Sequence, residues 1–330
     1  MMTTPFDFST QYLGLMLKNP FVVASSGLTS TLDKVIQCAE AGAGAVVLKS
    51  IFEEQIKAEA DRMSQYNDYP EAAEYLGAYT QSNALKNYLE LIEESSKACD
   101  IPIIASINCS SSEGWVDYAV QIERAGAAAL ELNIFLLPTL ANQTSSEVEA
   151  KYLSIVERVL SVISIPLSVK LSDHFTAPLN MIQQLYFRGV KGVTLFNRFY
   201  TPDVDINRER VHSGGVFSSP VELGQRLRWV GLTRSEVPLI DVALSGGVHS
   251  FEDIIKGLLC GADVVQLCSV LYDKGLDNIA EMLRGAEIWA LKNKYNSLKD
   301  FAGKLSARSV SSSEIFERAQ FMKYFSMRGE

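Results

Sequence analysis

Histidine is scarce in this chain: His174, His212 and His249 are the three among 330 residues, and none is spaced from another, or from a cysteine, as a metal site requires. The five cysteines (Cys38, Cys99, Cys109, Cys260, Cys268) are odd in number, widely scattered and without a CxxC pair. Disulfides, zinc and iron–sulfur ligation are thereby excluded, and no metal is expected. No run approaches the ~18 apolar residues of a spanning helix, and the N-terminus has no basic segment leading into a long apolar one. A cytoplasmic protein with no membrane attachment is expected. Basic charge is in deficit, 30 Lys and Arg against 39 Asp and Glu for a net charge of −9, which counts against nucleic acid and anionic membranes as partners. Finally, no GxGxxG follows the first apolar strand, so a doubly wound dinucleotide-binding sheet is only the runner-up architecture.

What is present is a regular alternation of short apolar runs and amphipathic stretches, in a composition 47% hydrophobic and 21% charged. That composition suits one large soluble core. The stretch Leu244 to Val270 organises the reading. An apolar run, Leu239 to Leu244, ends in Ser245-Gly246-Gly247. Ser250 is an N-cap, Asp253 adds a first-turn carboxylate, and Ile254, Ile255, Leu258 and Leu259 form one apolar face that Gly261 terminates. A second run, Asp263 to Leu267, then delivers Cys268-Ser269. Glycines after a strand can be no more than a tight turn. Two such turns after the last two strands of a barrel instead form a phosphate clamp, because glycine lets backbone N–H groups approach the oxygens.

Counting from the N-terminus decides between these. Strands are expected at Phe21 to Ala24, Ala45 to Leu48, Pro102 to Ile107, Ala128 to Leu132, Leu167 to Val169 and Gly192 to Leu195, with helices at Thr31 to Ala41, Ser82 to Ala98, Glu113 to Ala125, Ser146 to Ser161, Leu179 to Arg188 and Val221 to Val230. With the two strands above this makes eight βα units and predicts a (β/α)8 TIM barrel over residues 1–305. Phe52 to Thr80, with Tyr66, Tyr69, Tyr75 and Tyr79, reads as a long loop of the kind that forms lids, and Tyr200 to Phe217 as a polar irregular segment. The strand ends collect Ser25, Lys49, Ser50, Asn108, Asn133, Lys170, Asn197, Gly246, Gly247, Cys268 and Ser269. Two lysines and three amides, with no carboxylate triad and no obvious catalytic histidine, favour an organic cofactor. Amides read the edge of a heterocycle and a lysine stabilises a reduced anionic form, so FMN, with one ring and one phosphate, fits.

These residues also carry a resemblance that covers most of the chain. NPFVVASSG (Asn19 to Gly27), LKS (Leu48 to Ser50), ASIN (Ala105 to Asn108), ELN (Glu131 to Asn133), LSVKL (Leu167 to Leu171), SGG (Ser213 to Gly215), LSGGV (Leu244 to Val248), the run Leu258 to Gly275 and DFAGKL (Asp300 to Leu305) are similar, in order and spacing, to the dihydroorotate dehydrogenase family, class 1. The resemblance implies oxidation of dihydroorotate to orotate by bound FMN, with a base taking the neighbouring proton, in pyrimidine biosynthesis. It implies Lys49, Asn133 and Asn197 at the flavin and substrate, Lys170 against the flavin, and Gly246-Gly247 with Cys268-Ser269 at its phosphate. Ala24, Ser25, Ser50, Asn108, Gly214, Gly215 and Ser245 complete the expected cofactor set.

The departures fall on one side of that site. The family's base, cysteine in class 1, belongs where this chain has Leu136, in Asn133-Ile134-Phe135-Leu136-Leu137-Pro138. The substrate-reading pieces of the long loop are replaced by EAAEYLGAY (Glu71 to Tyr79), and Arg198 stands where serine is usual. Cys109, Ser110 or a loop tyrosine is left as an alternative base, and Arg198 as a reader of a substrate carboxylate. A different small substrate, or a phosphate-ligand barrel without redox activity, are the alternatives. The absence of an N-terminal apolar extension argues against a membrane quinone acceptor, and any iron–sulfur relay would belong to a separate electron-transfer partner. A helix is expected over Leu276 to Tyr295. The tail, 306–330, has Ser311 to Ser313 as hinge and carries Phe316, Phe321, Tyr324 and Phe325; it is expected to pack on the barrel or on a second subunit of a homodimer.

Overall fold

Eight short strands, too apolar to leave either face in water, close into one parallel ring in the computed structural model, which describes residues 6–54, 70–109, 112–198, 201–310 and 316–317. An antiparallel hairpin, β1 (Thr10–Tyr12) and β2 (Leu15–Leu17), precedes the ring. Then follow β3 (Phe21–Val23), β4 (Ala45–Val47), a two-residue extension β5 (Ile51–Phe52), β6 (Ile103–Asn108), β7 (Ala129–Asn133), β8 (Leu167–Leu171) and β9 (Gly192–Leu195). A second hairpin, β10 (Pro202–Asp205) and β11 (Arg210–Ser213), stands outside the ring, which β12 (Asp241–Ser245) and β13 (Val264–Leu267) complete. Pairing of β13 with β3 and of β4 with β6 closes it. The helices are α1 (Leu32–Glu40), α2 (Pro70–Ala98), α3 (Ser112–Arg124), α4 (Ser145–Leu160), α5 (Pro178–Phe187), α6 (Leu223–Glu236), α7 (Phe251–Cys260), α8 (Ser269–Lys274) and α9 (Asn278–Lys292). The expected (β/α)8 barrel is the observed fold.

Alternation along each strand then sorts residues between two cores. Phe21, Val23, Val46, Leu130, Leu132, Val169, Leu244 and Val265 point outward and pack with the helices. Val22, Ala45, Val47, Ile104, Ala129, Ala243 and Val264 point inward and form a separate small cluster with Tyr12, Leu13 and Leu17 of the first hairpin. That hairpin plugs the end of the barrel where the strands begin. Leu13 N–H donates to Asp241 at 2.6 Å and Thr10 Oγ1 to the Asp263 carbonyl at 3.2 Å. The plug has no signal at the period of a barrel strand, so the sequence reading missed it.

Most element positions agree with expectation to within two residues, and the exceptions have physical causes. The helix expected from Ser82 begins at Pro70, because proline suits a first helical turn and the EAAEYLGA that follows is rich in helix formers despite its poor apolar periodicity. The second half of the expected loop is therefore helix; Tyr75 and Tyr79 belong to it, whereas Tyr66 and Tyr69 lie outside the described residues. The strand expected at Leu239 starts instead at Asp241, since parallel pairing sets Asp241 opposite Gly192 and leaves Leu239 75% exposed. The helix expected from Leu276 is preceded by α8 and runs only from Asn278 to Lys292. In the segment 200–217 an Asx turn, with Asp205 Oδ1 accepting from Asn207 and Arg208 N–H at 3.0 and 3.1 Å, folds the second hairpin. Ser250 is the expected N-cap, the first-turn carboxylate of Asp253 accepts from its N–H at 3.2 Å, and Gly261 closes α7. The ring of Phe316 lies against Gly231 of α6, and Ala307 and Arg308 N–H bond to Gly231 and Ser235. The expected hinge, Ser311 to Ser313, and residues 318–330, with Phe321, Tyr324 and Phe325, are outside the described residues. Among the described residues no helix is long and apolar enough to cross a membrane, and no cluster of potential ligands could hold a metal.

The plugged end carries a testable pH dependence. Burial, with Asp263 beside it, pushes Asp241 up to about 6 from 3.8. A raised carboxyl pKa means that the folded protein binds the proton more tightly than the unfolded chain. The favourable contribution is present below the unfolded value and is lost as pH rises through about 6. Asp241→Asn keeps an acceptor for Leu13 N–H and removes the charge. It should stabilise the protein by about 1 kcal/mol near pH ~7.5 and by nothing measurable near pH ~4. Thermal unfolding at both pH values checks this; an equal shift in Tm at the two would contradict it.

Candidate functional site

The same alternation that makes the inner core apolar at the plugged end makes it polar at the other. The inward sets run 129, 131, 133 on β7, 168, 170, 172 along β8, and 264, 266, 268 along β13. Ala24, Lys49, Asn108, Asn133, Lys170, Ser245 and Cys268 all fall on inward positions at the carboxyl ends of their strands, where barrel enzymes place their working residues. Asn133 and Lys170 are register partners on adjacent strands.

A hydrogen-bonded arc links four of the expected residues around this mouth. Ser25 and Ser50 hydroxyls are 3.1 Å apart, and Ser25 Oγ also accepts from the Ser50 N–H at 2.9 Å. Asn133 Nδ2 donates to Ser50 Oγ at 3.4 Å, and Asn197 Nδ2 donates to Asn133 Oδ1 at 2.6 Å. Ser50 is anchored from below by Ser106 Oγ at 2.7 Å, and Tyr88 OH fixes Ser106 by donating to its carbonyl and accepting from its N–H. The amides are held in position and can present their remaining donors and acceptors to a planar polar ring. Lys170 is 7% exposed, whereas Lys49 projects from the rim with its backbone N–H tied to Thr29.

The glycine turn that follows β12 packs against the start of α6. Gly246 and Gly247 adopt φ of +94° and +76°, and a Cβ on Gly247 would lie 2.5 Å from the Leu223 nitrogen, so no larger residue fits. Ser269 Oγ accepts from the Ser218 N–H and hydroxyl at 2.9 and 3.0 Å, bringing a third segment against the two turns. Arg226, 5% exposed, lies behind Gly246, with its Nε buried and unpartnered and its Nη2 donating to Glu222 at 3.1 Å. Glycine turn, Ser218 and Ser269, with a buried guanidinium behind them, are a donor set of the kind that accepts a phosphate. Burial raises the Cys268 thiol above its ordinary value despite nearby Lys170, so it is a neutral packing group.

Other expected residues are disposed differently. Gly214 and Gly215 lie in the strap that follows the second hairpin: Gly214 N–H bonds the Thr201 carbonyl, and Arg198 Nη1 donates to the carbonyls of Gly215 and Val216 at 2.6 and 2.8 Å. Arg198 Nε points to Glu222 at 3.4 Å. Arg198, the expected reader of a substrate carboxylate, is thus held against the strap and Glu222. Cys109 is 8% exposed and belongs to the outward core shared with the helices, away from the mouth; Ser110 lies outside the described residues. Leu136 packs against the outward core and lines a pocket of about 90 Å³ with Tyr152, Ser172 and His174. A leucine accepts no proton there.

Residues that the sequence reading passed over lie deeper. Ser106, Glu131, Thr194 and Gln266 are buried polar groups on inward positions, and Ser218, Glu222 and Arg226 support the phosphate side. The first four had a visible signal. Each is the single polar residue inside an otherwise apolar strand, in IIASIN, ALELN, GVTL and VVQL, two places from a rim residue or one from the strand end. A buried polar residue in such a setting needs partners, and so marks a network.

The chain is 25% identical over 304 residues to a protein of Thermoplasma acidophilum named dihydroorotate dehydrogenase B (NAD(+)), catalytic subunit, covering 90% of this chain and 98% of that one. Proteins of the same name from Methanocaldococcus jannaschii and Methanothermobacter thermautotrophicus are 27% and 26% identical, each over 309 residues, covering 89% and 90% of this chain and 96% and 98% of theirs. The family model described as dihydroorotate dehydrogenase matches residues 8–287, a span that holds the plug hairpin, every strand of the ring and the turns after its last two strands. On that match the chain belongs to the dihydroorotate dehydrogenase family.

Proposed function

We propose that the protein is an FMN-dependent oxidoreductase of the dihydroorotate dehydrogenase type, acting on a C–C bond of a small heterocyclic or carboxylate substrate. One observation carries this reading: a buried lysine and an ordered arc of amides adjoin a glycine-lined phosphate wall in the same barrel mouth. Bound there, FMN would supply two-electron oxidation of a saturated carbon pair. The chain's own groups have separate tasks. Gly246, Gly247, Ser218 and Ser269 would hold the phosphate, Asn133, Asn197 and Ser50 would orient the ring and substrate, and Lys170 would offer fixed positive charge where negative charge develops. Lys49, exposed at the rim, would meet the substrate.

A second reading, a substrate other than dihydroorotate, is favoured by Leu136 and by the engagement of Arg198 with Glu222 and the strap. The relatives' name, dihydroorotate dehydrogenase B (NAD(+)), catalytic subunit, supports a separate electron-transfer partner for this chain as well.

Purified protein should be yellow, with close to one FMN per chain. Lys170→Ala should weaken FMN binding about tenfold or more, the usual loss for a charge-assisted contact. Absorbance and fluorescence titration measure both. A colourless protein that takes up no added FMN would refute the reading and favour a phosphate-ligand barrel without redox activity.

Positioned acid–base groups contribute ~10²–10⁴ in rate. Anaerobic flavin reduction by dihydroorotate should therefore be at least about a hundredfold slower than in a family member with the base. Leu136→Cys should accelerate it, more so above the thiol pKa. Rapid reduction by the wild type, unchanged in Leu136→Cys, would show that another residue takes the proton.

A further inference from the structure

Two opposite charges lie inside the barrel without touching. Glu131 is 1% and Lys170 7% exposed, and between them stands Gln266, at 2%. Lys170 Nζ donates to Gln266 Oε1 at 3.3 Å, while Gln266 Nε2 donates to Glu131 Oε2 at 2.8 Å and to Thr194 Oγ1 at 3.3 Å. Thr194 Oγ1 donates to the same Glu131 oxygen at 2.8 Å. A carboxylate only accepts and an ammonium only donates, so one of the two amide orientations of Gln266 satisfies both neighbours and the other satisfies neither. The charge on Glu131 therefore dictates which end of Gln266 faces Lys170. The second carboxylate oxygen, Glu131 Oε1, is buried without a hydrogen-bond partner. A buried carboxylate left half-paired is costly, and packing does not require it, since an uncharged side chain of the same size would fill the place.

We propose that Glu131 is a positioning residue: acting through Gln266, it holds the Lys170 ammonium in the barrel mouth and so sets how strongly the site favours reduced over oxidised flavin. This rests on the FMN reading above. The alternative, a bare negative charge acting through space, has the opposite sign. Negative charge near a ring that gains electrons disfavours reduction, so its removal would raise the midpoint potential. Loss of a device that holds a cation lowers it.

The test is the midpoint potential of the bound flavin at saturating FMN, by anaerobic equilibration with a reference dye. Lys170→Ala should lower it. Glu131→Gln should lower it too, with the affinity for reduced relative to oxidised flavin falling about tenfold, equivalent to ~30 mV for a two-electron couple. Adding Glu131→Gln to Lys170→Ala should give no further fall, because the two act as one unit. Gln266→Met, close in volume and unable to bridge, should reproduce the effect and replaces Glu131→Gln should that variant not fold. A potential unchanged or raised in these variants overturns the relay while leaving the FMN reading intact. If the wild type takes up no FMN, that reading fails on its own, and the relay is read in the flavin-free protein by isotope-edited NMR of the Lys170 Nζ. A resonance moved by Gln266→Met supports the relay, and an unmoved one overturns it.

Discussion

Closure of eight parallel strands is the constraint on which the rest depends. Once β13 pairs with β3 and β4 with β6, every second residue of every strand faces the barrel axis and has no access to bulk water except at the open end. Small apolar side chains and a plugging hairpin fill the end where the strands begin. Asn108, Asn133, Lys170 and Cys268 take the inward positions toward the end where the strands finish. A polar residue at an inward position therefore either joins the network or goes unsatisfied, and the interior of this barrel holds both kinds: Thr194 and Gln266 are partnered, while Glu131 keeps one orphan oxygen.

The legibility of the fold followed from the same constraint. Parallel strands buried on both faces read as short apolar runs, so their number and order could be counted and their ends named. Asn133, Lys170 and Cys268 were recognisable because each is the first polar or reactive group after such a run. What could not be read is set by long-range contact. The plug hairpin depends on Asp241 and Asp263, more than two hundred residues away in the chain, and α2 begins early because propensity outweighed a weak apolar pattern. The inward layer of Ser106, Glu131, Thr194 and Gln266 becomes meaningful only when strands from four parts of the sequence are brought together.

The two sides of the mouth differ in character. On the proposed function, the glycine turn and the amides ordered by Ser50 and Ser106 make up the flavin side. The other side is made of apolar and structural contacts. Leu136 packs outward toward Tyr152, and Arg198 fastens the Gly215–Val216 strap to Glu222 rather than presenting its guanidinium to a ligand.

The central claim is that the cofactor half of the mouth is retained while the half that would read orotate is not. Titration of orotate into FMN-loaded protein, followed through the flavin absorption band, tests it most directly. The account predicts tight FMN and a spectral change that develops only at high orotate, on the order of millimolar, as expected when Arg198 stays on Glu222 and the strap and gives the carboxylate no bidentate contact. A shift saturating at micromolar orotate would contradict it, and would mean that Arg198 leaves Glu222 to bind the substrate or that another cation takes its place.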